Sequence, residues 1–354
     1  MKACVIAAFL MADVVLAHAA DPSSNAKLSV GGYVDVYYAF AFTRPPSRDR
    51  SFTTQPFRHN EFNINVALID VKYTADNVRG RFALHTGTYA QSNYAVEPPL
   101  LQNIHEASAG FRPGKSWWVD MGIFPAHIGF ESAISKDNWT YSRSLMADYS
   151  PYYEAGLKLS GPLSEKLTLG VLVMNGWQNI HETNNDKAFG TQLQFKPNDS
   201  ALLNWSTFVG NEAPDSQASQ VRIFNNFYGQ TSLRRNVDAA IIFDIGFQKK
   251  PSVSQYASWY TGALIGRVTV SPTIRIGGRM EYYADNDQII IVTGTPDSFQ
   301  TFGVSVNLDY AVSDNFLFRV EGRLFDSKHK VYPSSTGLRR NDGFLATSFA
   351  LSLY

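Results

Sequence analysis

From Val237 to Phe247 every second residue is apolar: Val237, Ala239, Ile241, Phe243, Ile245 and Phe247 share one face, with Asp238 and Asp244 on the other. That period of two is the mark of a β-strand with one face away from water. The same pattern recurs along the chain. Leu28–Phe42 places Val34, Val36, Tyr38 and Phe40 in one row, and Arg79, Arg81, Ala83 and His85 alternate with Phe82, Leu84 and Thr86. Later strands are expected over 104–112, 117–124, 153–160, 167–173, 189–196, 202–210, 221–230, 237–247, 260–270, 274–283, 301–310, 316–325 and 343–354. With 28–42, 62–69 and 79–88 they make sixteen, of which 221–230 is the most polar and, with a neighbour, the one whose loss would leave fourteen.

The connections alternate as regularly as the side chains. Short turns such as Arg112-Pro113-Gly114-Lys115 and Ser271-Pro272-Thr273 take turns with long segments at 43–60, 90–103, 125–152, 178–188, 211–220, 249–258, 285–298 and 327–342. Seven short and eight long connections are what sixteen antiparallel strands need when both termini leave from one end. The expected fold is all-β: one closed transmembrane antiparallel barrel of about 16 strands. A soluble sandwich or propeller also alternates, but its strands are shorter and no blade-length repeat is visible.

Composition agrees with that expectation. Only 18% of residues are charged, 14% are aromatic, and 31 basic residues balance 31 acidic ones, so a nucleic-acid partner is not expected. No window has the apolar length of a transmembrane helix, which leaves a closed barrel as the way to satisfy the backbone in lipid. The first residues read as an export signal, with Lys2, an apolar run Val5–Leu16 and the small-x-small site Ala17-His18-Ala19. The expected division is 1–19 signal, cleaved after 19 or 20, and 20–354 barrel. The one cysteine, Cys4, falls in the signal, so neither a disulfide nor a thiolate metal site is expected in the mature chain.

Sixteen strands about 4.8 Å apart, tilted about 40°, enclose a ring about 32 Å across, too wide for side chains to fill. A loop is therefore expected to narrow it, and 125–152, between strands five and six, is the longest. It mixes Glu131, Lys136, Asp137, Arg143 and Asp148 with Trp139 and Tyr141, which are proposed as the constriction. By parity the lumen wall carries Arg79, Arg81, Asp120, Glu154, Arg267, Arg275, Arg279, Glu281, Arg319, Glu321 and Arg323. A basic wall opposite an acidic loop would set a transverse field that favours small polar solutes; the plainer reading is that these arginines pair locally with Glu281 and Glu321. Asp70 falls in the apolar row of its strand, which places it near the headgroups or beside a local bulge. The tryptophans read as membrane-rim residues; Trp139 and Tyr141, inside the long loop, read first as rings that anchor the loop to the wall, and in the sharper reading as an aromatic surface for sugar-like or aromatic solutes. No catalytic, metal-binding or cofactor motif is present, and an enzyme is not expected.

Gly31-Gly32-Tyr33-Val34-Asp35, Gly122-Ile123-Phe124-Pro125, Gly129-Phe130-Glu131, Asn138-Trp139-Thr140-Tyr141-Ser142-Arg143-Ser144, Pro151-Tyr152-Tyr153-Glu154-Ala155-Gly156 and Asn175-Gly176-Trp177 resemble segments of the β-barrel porin type 2 family of Gram-negative outer membranes. The resemblance covers nearly the whole mature chain. It implies an outer-membrane barrel for passive transport, in contact with lipid and with small polar solutes or ions, both termini periplasmic, with a homotrimer admitted by analogy. The alternative is a largely closed barrel serving as structural protein, adhesin or receptor through its external loops. One departure is the C-terminus, where Tyr354 lies off the apolar row of Leu345, Phe349, Leu351 and Leu353.

Overall fold

The structure, a computed structural model, describes residues 25–251 and 253–353; the expected signal, its cleavage site and Tyr354 lie outside the described residues. Sixteen strands close a barrel in which each neighbours the next in sequence. They are β1 (Lys27–Ala41), β2 (Phe62–Thr74), β3 (Val78–Thr86), β4 (Ile104–Phe111), β5 (Trp118–Pro125), β6 (Tyr153–Pro162), β7 (Leu167–Met174) and β8 (Ala188–Asn198). The second half is β9 (Ala201–Asn211), β10 (Val221–Arg234), β11 (Val237–Lys249), β12 (Tyr256–Thr269), β13 (Ile274–Asp285), β14 (Phe299–Ser313), β15 (Phe316–Ser327) and β18 (Asn341–Ser352). A small hairpin, β16 (Tyr332–Ser334) and β17 (Gly337–Arg339), stands in the last long loop. The seam closes by antiparallel pairing of β1 with β18, from Tyr33 opposite Ser352 to Ala41 opposite Phe344. The polar tenth strand is a full member, hydrogen-bonded to β9 and β11 over most of its length, so the count is sixteen and not fourteen.

Alternation sorts the side chains as expected of a barrel in lipid. Ile69, Phe82, Met121, Phe189, Ile241, Leu264, Met280, Val306, Leu324 and Leu345 are exposed on the outer face. Such a continuous apolar band is stable only against hydrocarbon. The charged residues on the alternate positions, among them Asp35, Glu106, Asp120, Glu154, Asp244, Arg279, Glu281, Arg319, Glu321 and Arg323, are buried inside.

Two bulges break strict alternation. The β1–β2 register shifts so that Asp35 faces Val66 while Val36 faces Ile64, leaving Asn65 as the extra residue. Asn65 and Val66 are then both buried, and beyond them the inner row becomes Leu68 and Asp70. Asp70 is therefore in the lumen, not at the headgroups, held by both nitrogens of the Arg81 fork at 2.9 and 2.8 Å. A similar shift in β3–β4, with Ala83 opposite Glu106 and Leu84 opposite Ile104, turns both His105 and Glu106 inward.

The two ends differ. At the long-loop end inward rings predominate: Phe124, Leu172, Phe208, Phe224, Trp259, Tyr283, Phe299, Phe325 and Phe344 form one buried cluster with loop residues Ile128, Leu145 and Ile291, beside buried polar residues such as Arg222 and Asp285. Trp177 packs on Phe208 and Phe224 with ring centroids 5.0 and 4.8 Å apart. Trp177 and Trp259 are thus interior anchors for the loops and not membrane-rim residues; of the six tryptophans, Trp205 is the one strongly exposed on the lipid face. Toward the short-turn end charged residues such as Asp120, Asp309 and Arg319 share the inner wall with a small apolar cluster of Ala240, Ile242, Ala263 and Ile265.

Candidate functional site

Residues 126–152 leave β5, run along the inner wall and return to β6. The first clamp is His127. Its Nδ1 lies 2.8 Å from Glu154 of β6 and its Nε2 2.8 Å from the Thr207 carbonyl of β9, while its own carbonyl accepts from Gln192 and Ser206 at 2.8 and 2.7 Å. Gly129, in the left-handed region at φ 98°, turns the chain, and its N–H donates to Asn226 of β10 at 3.2 Å. Phe130 meets the ring of Tyr228 on the same strand.

The second clamp lies across the barrel, on β13 and β15. Arg279 donates to the Ser142 carbonyl at 2.7 Å, to the Thr140 hydroxyl at 2.7 Å and to the Glu131 carboxylate at 3.2 Å. It also lies 3.3 Å from Glu281 and 3.5 Å from Glu321. Arg323 donates to the Arg143 carbonyl at 2.7 Å and to Glu281 at 2.6 Å, and Glu281 accepts the Leu145 N–H at 2.6 Å. Glu321 accepts the Ser142 hydroxyl at 2.9 Å. Ser144 caps the short helix α1 (Leu145–Asp148), taking the Ala147 N–H on its hydroxyl. Burial pushes the Glu131 carboxyl upward against the pull of Arg279 and Ser144.

The third clamp is near the short turns. Arg319 holds Asp309 at 2.7 Å and donates to the carbonyls of Asn138, at 3.0 Å, and Ser135. Ser135 Oγ lies 2.9 Å from the Tyr33 hydroxyl of β1, and Lys136 Nζ donates to the Asp314 carbonyl at 2.9 Å in the β14–β15 turn. The loop therefore descends from the long-loop end almost to the opposite turns.

Every proposed constriction residue can now be placed. Glu131 is tied to Arg279, and Arg143 lies 3.6 Å from Asp148 with its guanidinium 4.1 Å from the Tyr152 ring. Asp148 also accepts the Thr54 hydroxyl at 2.7 Å, joining the loop to the β1–β2 connection. Tyr141 is fully buried and offers no surface to a solute, whereas Trp139 is half-buried and Asp137 exposed. Trp139 lines a cavity of about 380 Å³ with Lys196, Asp238 and Arg267, the Arg267 guanidinium 5.1 Å from its ring.

The wall arginines divide into two sets. Arg279, Arg319 and Arg323 have no exposed side-chain surface; they are spent on loop carbonyls and neighbouring carboxylates. Arg79, Arg81 and Arg267 keep a quarter or more of their side chains exposed and pair with Asp120, with Asp70 and Glu106, and with Asp238. Arg275 stands on the inner row opposite Asp309. Sequence reasoning missed Asp70 and His127 as lumen residues. His127 carries no pattern signal, because its partners come from β6, β8 and β9.

The His127 clamp makes stability depend on pH. Burial works against the imidazolium, but the Glu154 carboxylate and the Thr207 carbonyl outweigh it and raise the His127 pKa. A raised folded-state value gives stabilisation that is complete below about pH 6.5, the unfolded value, and is lost as pH rises through the folded value. The gap in thermal transition between wild type and His127→Gln is therefore expected to narrow from pH 6 to pH 9. A gap constant over that range would show that His127 stays neutral.

A closed sixteen-stranded barrel with a lipid-matched exterior, a charged interior and a long loop on its inner wall defines a porin-type outer-membrane protein. The family description "Putative beta-barrel porin-2, OmpL-like" matches residues 27–353, and the chain belongs to this family. Family and fold put it among passive-diffusion channels of the outer membrane and not among enzymes. Among the described residues no group of three or more His, Cys, Asp or Glu could hold a metal ion.

Solved structures share the fold at low identity. The anion-selective porin from Comamonas acidovorans is 9% identical, with a TM-score of 0.62, over 93% of this chain and 100% of that one. OmpT, an outer membrane protein of Vibrio cholerae in its trimer form, is 6% identical, with a TM-score of 0.62, over 93% and 100%. Salmonella typhi OmpF in complex with daunomycin is 14% identical, with a TM-score of 0.60, over 93% and 98%. No curated protein sequence is significantly similar.

Proposed function

We propose that the chain forms a narrow water-filled channel for small hydrophilic solutes and ions, with residues 126–152 as its constriction. The observation that carries this reading is the span of the loop's contacts, from Glu154 and Thr207 on one wall to Arg279, Glu321 and Arg319 on the other. Glu131, Tyr141, Arg143 and Asp148 act as the loop's internal ties, while Lys136, Asp137 and Trp139 present it to the short-turn half of the lumen. Arg79, Arg81, Asp120, Arg267 and Arg275 line the water path. Arg279, Glu281, Arg319, Glu321, Arg323 and Glu154 hold the loop in place.

The even strand count puts the start of β1 and the end of β18 at the short-turn end, and the proposed orientation has that end, with both termini, in the periplasm. The trimer form of a protein with the same fold supports a homotrimer here. The apolar cluster at the long-loop end favours a second reading, a barrel shut in its ground state that acts through its outer loops. Reconstitution into a planar bilayer separates the two. The channel reading expects discrete ohmic steps, and correctly folded barrel that passes no current would overturn it in favour of the closed barrel.

A further inference from the structure

The short-turn half of the lumen holds a second cavity, of about 300 Å³, on the β2–β6 wall below the His127–Glu154 clamp. Lys72, Arg79, Arg81 and Lys158 line it, together with Glu106 and Asp120. The charges are layered by depth. Asp70, Asp120 and Glu106 have 0, 8 and 9% of their side chains exposed, whereas Lys72, Arg79 and Arg81 have 41, 37 and 26%. The carboxylates lie against the wall and the cations lie over them. Arg79 is held by both oxygens of Asp120, and Arg81 bridges Asp70 and Glu106, so both forks are fixed in orientation.

Lys158 completes the set. Its Nζ sits 4.6 Å from the centre of the Phe124 ring, and no carboxylate among the described residues lies within ion-pair distance. Four lining cations stand against the lining acids Glu106 and Asp120, and with Asp70 behind Lys72 and Arg81 the balance is one positive charge; the acids are much less exposed than the cations. Water-facing cations over buried acids attract anions more strongly than the bare sum of charges implies, because the acids act from farther away.

We propose that this cavity is a binding site for small oxyanions, carboxylate or phosphate, and that it makes the channel anion-preferring. The proposal rests on the channel reading above for its effect on transport, but not for binding. Arg79, with Nε and Nη2 on Asp120, is fixed in a plane that turns its Nη1 edge outward, a geometry that suits an oxyanion, and Arg81, whose three nitrogens hold Asp70 and Glu106, adds its charge beside it. Lys158 adds an ammonium group from β6, and Lys72 of β2, paired with Asp70 at 3.1 Å, adds its charge from the other side. Trp118, 4.3 Å from the Arg79 guanidinium, keeps that fork from folding away.

The test has two arms on the full barrel. In the first, reversal potentials in a KCl gradient compare wild type, Lys158→Gln, and Lys166→Gln on the exposed β6–β7 turn as control. A unit charge about 7 Å from an ion in water changes its local concentration by a factor of about 2.7, up for an anion and down for a cation, so Lys158→Gln is expected to lower the chloride-to-potassium ratio about sevenfold. In the second arm, citrate and inorganic phosphate are titrated calorimetrically into detergent-folded protein. Citrate carries about three negative charges at neutral pH, so Lys158→Gln is expected to weaken its binding by up to about twentyfold, and Lys166→Gln to leave it unchanged. A conducting wild type with no anion preference, or no citrate binding in either protein, overturns the site and leaves the channel standing. A barrel that passes no current but loses citrate affinity with Lys158→Gln overturns the channel and keeps the site.

Discussion

Arg279→Ala is expected to release the loop and raise the single-channel conductance severalfold. Arg279 is the one side chain that touches the Thr140 hydroxyl, the Ser142 carbonyl and the carboxylates of Glu131 and Glu281. Its removal leaves those acids and Glu321 buried with half their compensation gone. Breaking a buried pair from one side costs about 3–5 kcal/mol, because the remaining charge keeps its desolvation penalty. The barrel itself is held by the sheet hydrogen bonds of sixteen strands and does not depend on this network. The loop does, so relief of the uncompensated charge is expected to come from 131–144 leaving the wall and hydrating. An unobstructed ring about 32 Å across conducts far more than one crossed by a loop. Neutralising the partners tests the cause: Glu131→Gln and Glu321→Gln in the Arg279→Ala background are expected to restore part of the native conductance. Native conductance in Arg279→Ala that still folds, judged by its heat-modifiable band, would refute the anchor.

This result also changes what the arginine row signifies. Parity alone puts Arg279, Arg319 and Arg323 on the inner face, and in the structure they are there. Whether an inward arginine meets water or a loop is not a property of its strand. It depends on where the carbonyls of Ser135, Asn138, Ser142 and Arg143 come to lie, and 126–152 has no period from which to read that. The strands were legible because lipid on one side and polar groups on the other impose a strict period of two. Even there, one extra residue at Asn65 inverts the faces of the rest of β2, which is why Asp70 looked misplaced; a bulge is set by pairing with β1 and leaves no mark in the β2 sequence alone. Trp177 and Trp259 were misread for a related reason. Aromatic residues near strand ends suit both the membrane rim and the loop-covered interior, and only the face they occupy decides between them.

At Gly277 the loop backbone lies against the wall with no room for a side chain, and Gly277→Ala is expected to be strongly destabilising for so small a change. A Cβ there would lie 2.0 Å from the Trp139 carbonyl oxygen and 3.1 Å from its carbon. Both are backbone atoms, so no side-chain rotation relieves the clash. The wall cannot yield either, because Gly277 is paired with Arg267 of β12 on one side and Asn307 of β14 on the other. The loop must move, and Trp139 cannot move alone: its ring is set between the Arg267 guanidinium at 5.1 Å and the Phe130 ring at 5.3 Å. Overpacking of this kind costs about 1–3 kcal/mol, concentrated in the segment between the second and third clamps. The adjacent Gly278 is the control. It points to the lipid face, and a Cβ there meets only the Ser305 carbonyl at 3.8 Å, an ordinary contact. Thermal unfolding followed by the shift of the folded band should therefore separate the two alanine variants, with Gly277→Ala well below wild type and Gly278→Ala at or slightly above it. Equal transitions for the pair would mean that the loop does not rest on β13. The same comparison in a bilayer should show an unsteady current for Gly277→Ala and a native trace for Gly278→Ala.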